Sequence, residues 1–239
     1  MIPLRDDNPT SIPPVVTVAV IVLCSAVFLW QQALSPGSGE RAVYAYGAIP
    51  AVIFGKEHLP AGIAAVPPWL TILTSMFLHG GWLHIIGNML YLWIFGNNIE
   101  DAMGHARFVV FYLLCGTVAA LTQSLMAVDS EVPMIGASGA IAGVLGGYLV
   151  LYPHARVLVL VPLGFFTQLV RLPALWVLGF WFVLQFIQGG LAPKDAGGVA
   201  YWAHIGGFAA GAVLIFLFRR RSAGASGRPP RDRRRGPWG

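Results

Sequence analysis

The sequence predicts an all-α polytopic membrane protein built as a six-transmembrane-helix bundle, and three observations carry that prediction. Of 239 residues, 56% are hydrophobic and only 10% are charged, with a mean hydropathy of +0.70. The charges are confined: no Asp, Glu, Lys or Arg occurs in 8–39, 58–99, 108–128, 132–155, 172–193 or 196–218. Each of these gaps reaches about 20 residues, the length a helix needs to cross ~30 Å of hydrocarbon at ~1.5 Å per residue. A bilayer offers backbone groups no water, so apolar segments of this length are helices rather than open sheet.

The same numbers exclude other classes. A soluble domain carries about 25% charged residues. The formal charge of +5 suggests an acidic partner until it is located. Residues 219–239 hold eight arginines and one aspartate, a local +7, whereas residues 1–218 hold seven basic and nine acidic residues, a local −2. The basicity belongs to a tail, and no nucleic-acid partner is indicated. The chain therefore divides into a short N-terminus over 1–13, a membrane domain over 14–218 and a basic, disordered tail over 219–239.

The spans fall at about 14–34, 83–99, 107–127, 138–153, 173–190 and 200–218. Pro13 and Pro14 suit the start of the first. That segment is too long for a cleaved leader and lacks a basic n-region. The first half of the 58–99 gap, with Pro60, Pro67 and Pro68, reads as a loop at the membrane surface. A seventh gap, 157–170, is broken by Pro162 and Gly164 and reads as interfacial or extended structure. If both ends lie on one side, Arg5, Arg107, Arg156, Arg171 and the tail arginines share it, against Arg41, Lys56 and Lys194 on the other. That bias puts both termini in the cytoplasm. Cys24 and Cys115 fall inside spans and form neither a disulfide nor a zinc pattern.

Polar groups inside a span are costly, so each needs a reason. The second span opens with His84 and Asn88, four residues apart on one face, with His79 just before it. The fourth opens Gly136-Ala137-Ser138-Gly139 and continues through Gly143, Gly146 and Gly147. The sixth opens Trp202-Ala203-His204 and continues through Gly206, Gly207 and Gly211. All three spans run from the outer face inward, so their polar residues share one depth. Taken singly, the glycines are packing sites, the serine bonds its own helix, each histidine is a structural donor and Asn88 is interhelical glue. Close packing explains the glycines but not His204 beside them, and it also brings spans four and six near enough for Ser138 and His204 to meet.

These residues resemble the rhomboid family of intramembrane serine proteases, over about 70–218. The resemblance rests on Thr74-Ser-Met-Phe-Leu-His-Gly-Gly, His84-x-x-x-Asn88, Glu100 with Gly104 and Arg107, Gly136-Ala-Ser138-Gly139, and Ala203-His204-x-x-Gly207-x-x-x-Gly211. It implies a rhomboid-like six-helix bundle with a short fourth helix and a water-filled cavity open to the outer face. It implies Ser138 as nucleophile and His204 as general base, without a carboxylate. It also implies an oxyanion hole from His84, Asn88 and the backbone N–H of Ser138, and no cofactor or metal. In one respect the chain departs from the pattern. Some members carry an aromatic residue four positions after the serine, stacked on the histidine, where this chain has Ala142. Either His204 is held less tightly or another ring holds it, with Tyr201 and Trp202 as sequence candidates.

The implied substrates are single-span membrane proteins, cut where helix-weak residues let a segment unwind. The fifth span carries Trp176, Phe180, Trp181 and Phe182, a bulky set that either gates substrate access or anchors the helix in lipid. The competing reading is a non-proteolytic rhomboid-like protein that binds transmembrane segments for quality control; such relatives generally lack the serine or the histidine. A channel or transporter ranks behind both, because neither internal repeats nor mid-membrane charges are present. The Ala-, Gly- and Arg-rich composition points to a bacterial plasma membrane.

Overall fold

A strand, β1 (Ile2–Asp6), precedes the first long helix, α1 (Val15–Ala33). Pro14 stands at the helix N-cap, as the paired prolines suggest, but no local side chain caps the helix. The orphan N–H groups of Val16 and Thr17 instead donate at 2.8 Å to the carboxylate of Glu100, far along the chain. The Thr17 hydroxyl donates to the same carboxylate at 2.7 Å. This fully buried Glu100 also meets His105 Nδ1 at 2.6 Å. The motif glutamate is thus the missing cap of the first helix, supplied through tertiary structure.

Two short helical segments, α2 (Pro36–Tyr46) and α3 (Pro50–Ile53), precede the 58–99 gap. A third, α4 (Pro68–Thr74), lies within the first half of it that reads as a surface loop, so that half is helical from Pro68; each of the three begins with proline. A single 3₁₀ turn, Ser75–Phe77, leads to α5 (Trp82–Tyr91), and a π-helical stretch, Leu92–Gly96, joins it to α6 (Asn97–Met103). After Gly104, whose φ of 83° separates two helices, comes α7 (His105–Met126). Then follow α8 (Ser138–Leu151), the hairpin β2 (Arg156–Leu163) and β3 (Phe166–Pro173), α9 (Ala174–Leu191) and α10 (Tyr201–Phe218). This computed structural model describes residues 1–163, 166–191 and 198–220. Lys194 and nearly all of the arginine tail lie outside them.

The predicted polytopic helical bundle is present. Among the described residues, α1, α7, α9 and α10 are each long and apolar enough to cross a membrane. The pair Pro68–Phe77 and Trp82–Met103, bent by 81°, makes a fifth if it is counted as one broken span rather than a re-entrant loop. The remaining column, α8, has 14 residues, a length of ~21 Å at 1.5 Å per residue. It is shorter than a lipid-facing span because it hardly meets lipid: every residue from Gly139 to Tyr148 is buried.

Glycine makes that enclosure possible. A Cβ on Gly207 or Gly211 of α10 would land on the carbonyl of Gly139 or Gly143 in α8, and a Cβ on Gly146 would strike the carbonyl of Phe208. On the opposite face Gly139 and Gly143 abut Ala119 and Cys115 of α7. α8 and α10 therefore touch backbone to backbone, with small side chains of α7 against α8, the packing that small residues permit where lipid supplies no hydrophobic drive.

At one end the three strands form an antiparallel sheet in the order β1-β2-β3. The described residues of the 157–170 segment, read as interfacial or extended, are extended, while Gly164 lies outside the described residues; the strand in residues 2–6 carries no such sequence signal. Arg5, Arg156 and Arg171 lie on this sheet, and Arg107 at the same end donates to the carbonyl of Phe218 at 3.3 Å. Arg41 and Lys56 belong to the other end, where Lys56 pairs with Asp129.

Candidate active site

The loop entering α8 is fixed at the end remote from the sheet. Met134 forms an isolated antiparallel bridge with Ala48, and the Gly136 N–H donates to the Ser75 carbonyl at 2.9 Å. Gly136 has φ 124°, a conformation L side chains rarely adopt, and a Cβ there would meet the His84 ring. The chain then turns into α8 with Ser138 as its first residue. Its amide is one of the unpaired N–H groups at a helix start.

Ser138 Oγ and His204 Nε2 are hydrogen-bonded at 2.8 Å. The glycine contact between α8 and α10 sets that spacing, and the segments that meet are 66 residues apart in sequence. On its other side His204 Nδ1 lies 2.8 Å from Gln185 Oε1. Across the cavity, the Gly80 N–H donates to His84 Nδ1 at 3.2 Å. A backbone N–H can only donate, so the neutral His84 ring carries its proton on Nε2, the nitrogen nearest Gly136. Asn88 is 8% exposed, and its Nδ2 has no hydrogen-bond partner. A buried donor without an acceptor costs about 1–3 kcal/mol, an outlay understandable where an acceptor arrives with a ligand.

All four predicted residues, His84, Asn88, Ser138 and His204, line one cavity of about 690 Å³. Pro133 to Ile135, Gly198 to Ala200, Ile141 and Leu145 also line it. No Asp, Glu, Lys or Arg among the described residues lines it. Nor is any group of three or more His, Cys, Asp or Glu placed to hold a metal ion among those residues. His79, named beside His84, is buried with its ring edge-on to His84 at 5.1 Å.

Two contributors escape the sequence motifs. The ring against His204 is neither Tyr201 nor Trp202 but Trp181 of α9, with centroids 5.6 Å apart and planes tilted 35°. Ala142 leaves the space, and the fifth span fills it. The second is Gln185, one turn further along α9 and 5% exposed. A buried amide in an apolar span was the available signal. The expectation that polar groups in lipid need a reason applies to Gln185 as fully as to His84.

Fold and site together define a multi-pass membrane protein with a hydroxyl–imidazole pair facing a cavity, and Glu100, Gly104 and Arg107 serving as scaffold. The chain belongs to the rhomboid family: the family's domain model matches residues 67–221. Relatives include Rhomboid protein 1, mitochondrial, of Saccharomyces cerevisiae, 31% identical over 51% of this chain and 40% of that protein. Rhomboid protease GluP of Bacillus subtilis is 30% identical over 84% of this chain and 35% of its own length. RHOMBOID-like protein 5 of Arabidopsis thaliana is 30% identical over 63% of this chain and 44% of its own. The chain thus spans less than half the length of these curated relatives.

Proposed function

We propose that this protein is an intramembrane serine endopeptidase in which Ser138 is the nucleophile and His204 the general base. The observation that carries the reading is the 2.8 Å Ser138–His204 hydrogen bond facing a cavity whose other wall holds the unpartnered amide of Asn88. His204 Nε2 takes the hydroxyl proton as Oγ attacks the carbonyl carbon of a peptide bond. The negative oxygen of the tetrahedral intermediate meets the Ser138 N–H, Asn88 Nδ2 and His84 Nε2–H, with the positive end of the α8 dipole behind them. His204 then returns its proton to the leaving amine, which departs and leaves an acyl-serine. Water entering the cavity, deprotonated by the same imidazole, releases the acid and restores Ser138.

The substrates are single-span membrane proteins presenting an unwound segment to the cavity, and one relative's name, Rhomboid protease GluP, supports proteolysis. The arginines gathered at the sheet end support a cytoplasmic location for both termini and an external one for the cavity. The membrane is a bacterial plasma membrane.

A fluorophosphonate probe tests the reading directly. The detergent-solubilised protein should be labelled on Ser138, and Ser138→Ala and His204→Ala should each abolish both labelling and cleavage while the helical content stays unchanged. Asn88→Ala should lower kcat about a hundredfold through the lost oxyanion donor. Absence of label on the wild-type chain, or cleavage surviving Ser138→Ala, overturns the proposal.

A further inference from the structure

A serine–histidine pair has no carboxylate to choose between the two tautomers of its base, yet only one of them works. Nε2 must present a lone pair to the hydroxyl, so Nδ1 must carry the proton. The partner of Nδ1 is a carboxamide, which could in principle offer either its oxygen or its NH₂. Trp181 removes the ambiguity. Its main-chain carbonyl, an obligate acceptor, receives Gln185 Nε2 at 3.1 Å. The NH₂ therefore faces the helix backbone and Oε1 faces the imidazole, 2.8 Å away. An oxygen can only accept, so Nδ1 bears hydrogen and Nε2 turns its lone pair to Ser138 Oγ. Each assignment is forced by the one before it, and the series ends at a backbone carbonyl that cannot reverse.

We propose that Gln185 is the positioning residue of the pair, holding His204 in the base-competent tautomer as a carboxylate does in a three-residue arrangement. This rests on the serine protease reading above. Being neutral, Gln185 orients the ring without adding charge to the cavity, so the imidazolium formed during turnover is stabilised less than it would be beside an acid. The titratable groups that face the imidazole are Ser138 from α8 and, across the cavity, His84 and Tyr91 from α5. Gln123 of α7 and Trp181 of α9 complete its surroundings and do not titrate.

The test compares Gln185→Leu with Gln185→Glu in the full chain. Loss of the acceptor in Gln185→Leu should lower kcat about 10- to 100-fold while KM stays within about twofold, since the base and not the substrate is disturbed. Gln185→Glu keeps an acceptor on Nδ1 and should retain kcat within about tenfold. Its carboxylate favours the protonated imidazole, so the acid limb of the kcat/KM profile should move up by about one pH unit. An unchanged kcat in Gln185→Leu, or an acid limb unmoved in Gln185→Glu, overturns the proposal; should the leucine variant not fold, the glutamate variant decides alone. Nitrogen NMR of histidine-labelled protein reads the same point without turnover: His204 should be the Nδ1–H tautomer in the wild type and a mixture in Gln185→Leu. An identical spectrum also overturns it. A wild type that takes no fluorophosphonate label sinks the protease reading instead, whatever the tautomer.

Discussion

At Gly136 two requirements coincide at one α-carbon. Its φ of 124° suits glycine, and the space where a Cβ would stand is held by the His84 ring, with Asn88 Nδ2 just beyond. Gly136→Ala should therefore cost about 1–3 kcal/mol of stability through backbone strain. On the protease reading it should also cut kcat at least about tenfold by pushing His84 and Asn88 aside. Thermal unfolding and peptide turnover measure the two effects, and a variant with wild-type kcat would show that His84 and Asn88 do not act from these positions. Ser138, His204, His84 and Asn88 were legible in the sequence because lipid makes each polar atom expensive and leaves few of them to explain. Trp181 was not legible, since a tryptophan in a membrane helix is equally at home as an interfacial anchor. Only the fold reveals that the space over Ala142 is filled from another helix.

At the level of elements, α9 divides the aromatic set that the sequence presents as one. Trp181 lies on the base, whereas its neighbour Phe182 stacks on Phe208 of α10 at 4.1 Å and 19°. The buried residues of α9 are Ala174, Val177 and Leu178 near the sheet and Gln185 alone in the far half. That half is seated by few groups, and one of them orients His204. The two aromatics should consequently respond in opposite directions. Phe182→Val should raise turnover of a transmembrane substrate a few-fold by loosening α9, while Trp181→Val should lower turnover of that substrate and of a short soluble peptide alike. Assaying both substrates on both variants checks this; a parallel response would remove the distinction. Helix positions were readable from the charge gaps because a lipid-crossing segment must be continuous. β1 was not, because five residues that include Arg5 and Asp6 carry no periodic signal and pair with a strand some 150 positions away.

Across the whole molecule, the helix that bears Ser138 is tethered at both ends. One end is held by the Ser75–Gly136 hydrogen bond, and near the other the Tyr148 hydroxyl donates to Asp6 Oδ2 at 2.6 Å. Burial raises the Asp6 carboxyl above its ordinary value of 3.8, although the Tyr148 hydrogen bond works against that rise. The folded chain thus holds this proton more tightly than the unfolded chain does. Stability should fall as pH climbs from about 3.8 to the raised value and level off beyond it. Asp6→Asn keeps an acceptor for Tyr148 and loses the charge, so its unfolding temperature should gain on the wild type across that window. A difference independent of pH would exclude Asp6 as the source.

The backbone contact between α8 and α10 also has a history in time. Ser138 is made 66 residues before His204, an interval of about 3–13 s at ~5–20 residues per second. Throughout it, α8 can pack on α7, made before it, but not on α10, whose glycines meet the Gly139 and Gly143 carbonyls. The nascent chain carries Ser138 without His204 while its own spans, and those of neighbouring proteins, are being threaded into the bilayer. On the protease reading, reactivity arrives only when α10 joins α8.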